Sequence, residues 1–432
     1  MFRKRVQLGF IHLAVAMTLV PINSTLNRVM IKDLGISASV VALLASLPYI
    51  FSPLQVAIGS FSDKHPLFGY RRTPYIFLGL LLCVVGLAVS PQIAFLMAQN
   101  PVWGMLAGAL AFGAWGMGYN FSSVSYLALA SELSGEKERG RTIATMWFMM
   151  IVSIIITAIV ISRLVEPYSN EALQRAFLMV SAAAFFIGMA GLIGLEKPAS
   201  TLESSLAEHY TLKQMTAVIF ASRQATSFFW YLTLLLAAIL GQDVLLEPFA
   251  AQAFGMSVQQ TTRITSVWGV AVLLTILLAG LLERFLPRKQ VAQLGNISAL
   301  AGFLLIIAGG LILSQPVFWI GVLVLGCGTG LATVANLALM FDLTLPEYTG
   351  LFIGAWGVSN ALSRLIGTML AGIFRDVFVN ITGQQVGAYL MVFGMESVML
   401  AMAIFMLVRI DVKDFHKQVV APSVLERAAT AD

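Results

Sequence analysis

Twelve long apolar stretches, divided by short loops whose positive charge alternates, run the length of this chain. Crossing the hydrocarbon core of a bilayer as a helix takes about 20 apolar residues. Hydrophobic residues make up 59% of the 432 positions and charged residues only 11%, with a mean hydropathy of +0.87. One soluble core of this length cannot hide so much apolar surface. The chain therefore reads as an all-α membrane protein. Its spans are expected at about 6–29, 38–60, 74–97, 102–130, 142–163, 175–195, 226–250, 259–282, 291–314, 316–341, 350–374 and 388–409. Arg3, Lys4 and Arg5 precede an apolar stretch too long for a cleavable leader, so it reads as the first span.

The Lys/Arg census sets the expected orientation. Nineteen of the 26 basic residues fall on the side of the N-terminus, among them Arg3, Lys4, Arg5, Lys64, Arg71, Arg72, Lys137, Arg139, Arg141, Lys197, Arg284, Arg288 and Lys289. The opposite loops hold Arg28, Lys32, Arg163, Arg175, Arg263 and Arg375. This bias predicts that both termini face the cytoplasm. The net charge of +5 is thus a topology signal, and no basic surface interleaved with aromatics points to nucleic acid. Cys83 and Cys327 fit neither a metal site nor a disulfide framework and read as small buried residues.

The chain also repeats itself. At an offset of 210, Gly116, Gly118, Val124, Leu127, Ala128, Leu129, Leu133, Gly140 and Ile143 recur as Gly326, Gly328, Val334, Leu337, Ala338, Leu339, Leu343, Gly350 and Ile353. Glu132 and Ser134 become Asp342 and Thr344. A weaker register at 220 pairs Leu26, Gly35 and Ser37 with Leu246, Gly255 and Ser257, and sets Asn23 and Asn27 against Asp243 and Glu247. Spans 4 and 10, and spans 1 and 7, are therefore counterparts. Two pseudo-symmetric six-helix halves follow, at 1–195 and 226–410, with a cytoplasmic linker at 196–225 and a cytoplasmic tail at 411–432. This 6+6 plan resembles the major facilitator fold. Within the linker, Leu212, Met215, Ile219 and Phe220 form one face of an interfacial helix, or the segment is a plain connector.

The loop after span 2 carries Gly59-x-x-x-Asp63 followed by Gly69-Tyr70-Arg71-Arg72. It resembles the G-x-x-x-D-x-x-G-R-[RK] signature of major facilitator transporters, with an insertion. A degraded copy, Gly280-x-x-Glu283 then Pro287-Arg288-Lys289, follows span 8. The resemblance implies a cytoplasmic latch built on Asp63 and Arg72; the bland alternative is an ordinary positive-inside loop.

Ionisable residues at membrane depth are expensive and need a partner or a task. Arg364 and Glu396 each sit roughly 20 Å from the cytoplasmic end of spans 11 and 12, at about 1.5 Å per residue. They are expected to form an intramembrane pair, structural before catalytic. A second constellation joins Asn23, Ser24, Thr25, Asn27 and Arg28 on span 1 to Gln242, Asp243 and Glu247 on span 7. Asp243 and Glu247, four apart, share a face of a continuous helix. Gly241 and Pro248 weaken that helix. In the expected architecture spans 1 and 7 face a central cavity, where Arg28, or Arg263 on span 8, neutralises a carboxylate. The competing reading leaves Arg28 and Glu247 solvated at the interface. His12 is the one histidine within a span, either hydrogen-bonded packing or a ligand for a metal, including one held by a bound cofactor. No triad, phosphate-binding loop, metal cluster or dinucleotide fingerprint is present, so the chain is not expected to be an enzyme.

Three stretches carry a closer likeness: Ile22-Asn23-Ser24-Thr25-Leu26-Asn27-Arg28, Ser62-Asp63-Lys64-His65-Pro66-Leu67-Phe68-Gly69-Tyr70-Arg71-Arg72, and Gly241-Gln242-Asp243-Val244-Leu245-Leu246-Glu247-Pro248-Phe249. They resemble the bacteriochlorophyll delivery (PucC/LhaA-type) family of the major facilitator superfamily. That resemblance implies an integral membrane protein of a phototroph that binds or delivers chlorophyll or bacteriochlorophyll. Its implied partners are membrane lipid, light-harvesting or photosystem subunits and pigment-synthesis enzymes. Two other readings of the residues stay open: a proton-coupled transporter of a small solute using Asp243 or Glu247, and a helical docking scaffold for antenna subunits.

Overall fold

A computed structural model describes residues 2–198, 220, 223–344 and 349–411. The linker residues Leu212, Met215 and Ile219 and the tail from 412 lie outside the described residues. Thirteen α-helices account for nearly all of the rest, and no strand occurs among the described residues. They are α1 (Phe2–Pro21), α2 (Ala38–Ile50), α3 (Leu54–Lys64), α4 (Thr73–Gln99), α5 (Pro101–Leu164), α6 (Asn170–Leu192), α7 (Arg223–Gly241), α8 (Leu246–Phe254), α9 (Val258–Leu282), α10 (Arg288–Leu311), α11 (Gln315–Asp342), α12 (Thr349–Thr382) and α13 (Gln385–Arg409).

Ten helical segments of the described residues are long and apolar enough to cross a membrane. The two expected spans missing from that ten have local causes. Span 2 is broken between α2 and α3 at Phe51–Pro53, where Pro53 cannot donate to the helical ladder. Span 4 is helical, but Gly, Ser and Asn120 dilute its hydropathy. Spans 4 and 5 run together as the 64-residue α5, turned at Gly135, whose φ of 62° and ψ of 174° are non-helical.

The chain divides into two compact units, Met1–Ala207 with Val244–Ser266, and Glu208–Asp243 with Val267–Asp432. These boundaries differ from a plain division between the sixth and seventh spans, because span 7 breaks. Its first part, α7, belongs to the second unit, while α8 and the start of α9 belong to the first, where α8 packs on the end of the first span.

Within each unit the same contacts recur. In the first, α4 packs on α5 so closely that a Cβ at Gly118 would stand 2.6 Å from the Gly79 carbonyl oxygen. In the second, α10 packs on α11, and a Cβ at Gly328 would stand 2.7 Å from the Gly295 carbonyl oxygen. About two turns further along, Gly86 meets Trp115 and Gly302 meets Leu325 in the same relation. Small residues at these crossings let the backbones touch, which is how helices gain packing energy in lipid. The helix ends repeat as well. The Gln7 amide donates to the Ile193 carbonyl at 2.9 Å, and the Gln224 side chain accepts from the Asp411 N–H at 3.1 Å.

Gly328→Val should therefore destabilise the protein by about 1–3 kcal/mol, because the bulk meets backbone rather than a movable side chain. Thermal unfolding in detergent checks this against Gly113→Ala, where a Cβ meets nothing within 4 Å.

Candidate functional site

The first span does not end as an α-helix. Beyond Pro21 it widens into two π-helical turns, Ile22–Leu26 and Val29–Asp33. Such turns are rare and gather at functional sites. Together with Arg28 between them, they present hydroxyls to α8 and α9 and a guanidinium to the loop that joins those helices. The Ser24 hydroxyl donates to Oε1 of Glu247, and the Thr265 hydroxyl donates to the same oxygen at 2.8 Å. The hydroxyls of Thr25 and Thr262 lie 3.1 Å apart. All of these belong to the first unit, and Glu247 is only 3% exposed. Glu247 thus sits in a hydroxyl-lined, water-excluded environment.

Arg28 corrects an expectation. It does not pair with a carboxylate of span 7. Its guanidinium bonds Asp33, five residues on, and reaches the Met256 carbonyl at 3.5 Å. The π-helical geometry is the reason, since a wider turn brings i and i+5 onto one face. Arg263, the other expected neutralising group, is exposed on α9 and stands outside the cluster. Asn27 is buried, and its amide donates to the Asn23 carbonyl at 3.1 Å. The Asn27 side chain therefore serves the backbone of the turn.

Asp243 and Glu247 do not share one helical face. A 3₁₀ turn at Gln242–Val244 separates α7 from α8 and cancels the i,i+4 relation. The buried Gln242 donates its side-chain N–H to Asp243 at 2.8 Å, and Arg364 of α12 lies in charge–charge range of Asp243. The pair expected between Arg364 and Glu396 includes no hydrogen bond. Glu396 is 1% exposed, and neither of its oxygens has a hydrogen-bond partner. The unwound turn at the end of α7 supplies Asp243 as the carboxylate near Arg364.

His12 lies 7% exposed in α1, with its ring 5.0 Å from that of Tyr126 and edge-on to Trp147 at 6.0 Å. Its Nδ1 has no hydrogen-bond partner.

The motif after span 2 is built differently from a simple charged loop. Backbone bonds close Leu67 on Tyr70, and the turn places Phe68 and Gly69 at φ 54° and 80°. Positive φ at the second position suits glycine. The turn delivers Arg72 to the start of α4, 6% exposed. Its Nε and Nη2 donate to Glu132 of α5 at 3.1 and 2.9 Å, and its Nη1 to Ser62 at 2.7 Å. The Ser62 hydroxyl in turn donates to the Gly59 carbonyl at 2.9 Å. Glu196, following α6, accepts from the N–H groups of Arg71, Arg72 and Thr73, the last at 2.7 Å. An anion on unsatisfied N–H groups at a helix start is favourable. The side chain of Asp63 lies outside the described residues. In the second unit Arg288 bonds Asp342, the counterpart of Glu132, and Lys289 donates to the carbonyls of Val408 and Ile410 at 2.9 and 2.7 Å. Both units thus tie the third helix of the half to the fourth by an arginine–carboxylate pair, and to the last by a charged cap.

Sequence reasoning missed Asp33, Thr265, Glu132 and Glu196 as partners. Glu132 carried a signal, because its carboxylate recurs as Asp342 in the repeat.

Two outcomes follow. Arg72→Ala and Glu132→Ala should each cost about 1–3 kcal/mol, and the double variant less than their sum, since each single change strands a charged partner; thermal unfolding of the four proteins measures the coupling. Asp33→Asn should destabilise by about 1–3 kcal/mol by stranding buried Arg28, whereas Arg263→Gln should stay within about 0.5 kcal/mol.

Comparison with known proteins agrees with this architecture. The family model described as PUCC protein matches residues 25–415. The chain is 31% identical over 419 residues to Protein PucC of Cereibacter sphaeroides, covering 91% of this chain and 89% of that protein. It is 26% identical to the bacteriochlorophyll synthase 44.5 kDa chain of Rhodobacter capsulatus, covering 93% of each. A crystal structure of a point mutant of the nucleoside transporter NupG superposes with a TM-score of 0.75 at 14% identity, over 94% of this chain and 99% of that one. At that identity the likeness establishes the fold, the major facilitator arrangement, and nothing about substrate. The chain is an integral membrane protein and belongs to the PucC family.

Proposed function

We propose that this protein is a membrane assembly factor that binds (bacterio)chlorophyll and delivers it to light-harvesting or photosystem complexes. The match to the PucC family across 25–415 carries this reading, since it spans both units. A relative named as a bacteriochlorophyll synthase chain supports the pigment. Its partners are then antenna or photosystem subunits and the enzymes that make the pigment. The chain itself does no chemistry on the pigment and is not an enzyme.

Chlorophyll is an apolar macrocycle whose Mg²⁺ accepts hard oxygen or imidazole ligands. The residues fit such a group at two places. His12 keeps an unbonded ring nitrogen among aromatic rings, and Glu247 offers a carboxylate already oriented by Ser24 and Thr265. Either would hold the pigment by its metal; the bound pigment supplies light absorption and the protein supplies exclusion from water.

A second reading is favoured by the fold, by buried Glu247 and by half-buried Asp243: a proton-coupled transporter of a small solute using Asp243 or Glu247. One preparation separates the two. The protein purified from its phototrophic host in mild detergent should carry pigment near one per chain, read from its visible and near-infrared spectrum. His12→Leu or Glu247→Ala should reduce that occupancy to about a tenth, the scale on which weakened metal ligation acts. Pigment-free protein showing proton-driven uptake lost in Asp243→Asn sinks the pigment reading. Pigment-free protein that holds antenna subunits without uptake leaves a docking scaffold.

A further inference from the structure

The second unit contains a carboxyl group that its surroundings leave unserved. Glu396 lies midway along α13, 1% exposed, with no hydrogen bond to either oxygen. It faces the end of α7, where a Cβ at Gly241 would stand 2.6 Å from its Oε1 and 3.0 Å from the Gly367 carbonyl oxygen. Glycine at 241 is what lets the carboxyl reach the turn that carries Asp243. Asp243 acts on Glu396 as a like charge, and Arg364 acts on Asp243.

The remaining charged and titratable groups on the helices packed against α13 are engaged or placed elsewhere, Arg223 standing at the opposite end of α7 from Gly241. On α7, Tyr231 donates to Asn336 and accepts from Asn296. On α12, Arg375 bonds Asp376 and lies over the ring of Tyr389, about two turns from Glu396. On α10, Arg288 and Lys289 are committed at its first turn to Asp342 and to the carbonyls of Val408 and Ile410. Among the described residues, two carboxyls therefore share the field of one guanidinium.

An ionised Glu396 would be an uncompensated charge at membrane depth, stripped of water and of donors. Two carboxyls in one apolar site with one cation retain one proton between them. We infer that Glu396 is a proton-binding site: it holds its proton as a neutral carboxylic acid, while ionised Asp243 answers Arg364. The proton comes from water and returns to it, so no other reactant is needed. Nothing in this inference depends on the pigment reading.

Infrared spectroscopy of the full-length protein in detergent at neutral pH tests it. The expected spectrum has a protonated-carboxyl C=O band that moves on carbon-13 labelling of Glu but not of Asp. Glu396→Gln should remove that band and melt as the parent does, because an amide mimics the neutral acid, and Glu396→Ala should melt lower. Asp243→Asn should keep the band. The inference is overturned by a band that survives Glu396→Gln, by one that follows Asp labelling, or by the absence of any such band. It is equally overturned by a Glu396→Gln protein that fails to fold or melts as low as Glu396→Ala. Parent protein that is free of pigment yet keeps this band would count only against the function proposed above.

Discussion

Lipid offers the backbone no hydrogen bonds, so every departure from a straight α-helix in this protein must be answered by the protein itself. Two of the departures coincide with the chemistry. The two π-helical turns of the first span are where Ser24, Thr25 and Arg28 meet α8 and α9. The 3₁₀ turn of the seventh is where Gln242 and Asp243 stand free of the helical ladder. Among the described residues the other interruptions, at Phe51–Pro53 in the second span and at Gly135 in α5, carry no such cluster, and the long helices cross at small residues such as Gly79, Gly118, Gly295 and Gly328. The rest of the architecture follows from that division between regular packing and answered irregularity.

The repeat shows what the fold keeps when its two halves diverge. Gly118 on Gly79 and Gly328 on Gly295 are the same crossing, made twice. Arg72 with Glu132 and Arg288 with Asp342 are the same tie, although the second carboxylate is one methylene shorter. The cap at the end of each half reverses sign. In the first unit an anion, Glu196, binds the N–H groups that open α4; in the second a cation, Lys289, binds the carbonyls that close α13. Both choices suit the helix dipole, because they act at opposite helix ends. What survives duplication is the electrostatic requirement rather than the residue.

How much of this was legible before the structure depended on range. Apolar runs of 20 residues and a 210-residue register are long, redundant signals, so the helical membrane fold and its doubling could be read directly. Arg72 and its glycines were legible through a motif. The partner of Arg28 was not, because helical periodicity assigns i+3 and i+4 as neighbours, and Asp33 becomes a neighbour only once the turn is π-helical. The same failure separated Asp243 from Glu247: a spacing of four is a shared face only while the helix is unbroken. Glu396 and Arg364 lay at equal depth, as counted, but depth does not choose among carboxylates, and Asp243 came within range through a break that side-chain patterns do not encode.

The two breaks are themselves counterparts. At the 220-residue offset, Ile22–Leu26 corresponds to the segment beginning at Gln242, so the duplicated position is underwound in the first span and overwound in the seventh. A π turn spends an extra residue per turn and widens the helix; a 3₁₀ turn does the reverse. The wide turn keeps its backbone largely bonded and exposes side chains sideways, which is how Ser24 and Thr25 both reach the first unit's polar cluster. The tight turn ends α7 and frees the chain to redirect, so that α8 joins that cluster while Asp243 stays with Arg364 in the second unit. Asn23 and Asn27 sit where Asp243 and Glu247 sit in the repeat, yet Asn27 bonds the backbone of its turn while the two acids carry charge-bearing groups. Duplication thus supplied two equivalent weak points, and divergence made one a scaffold and the other a pair of separately housed acids.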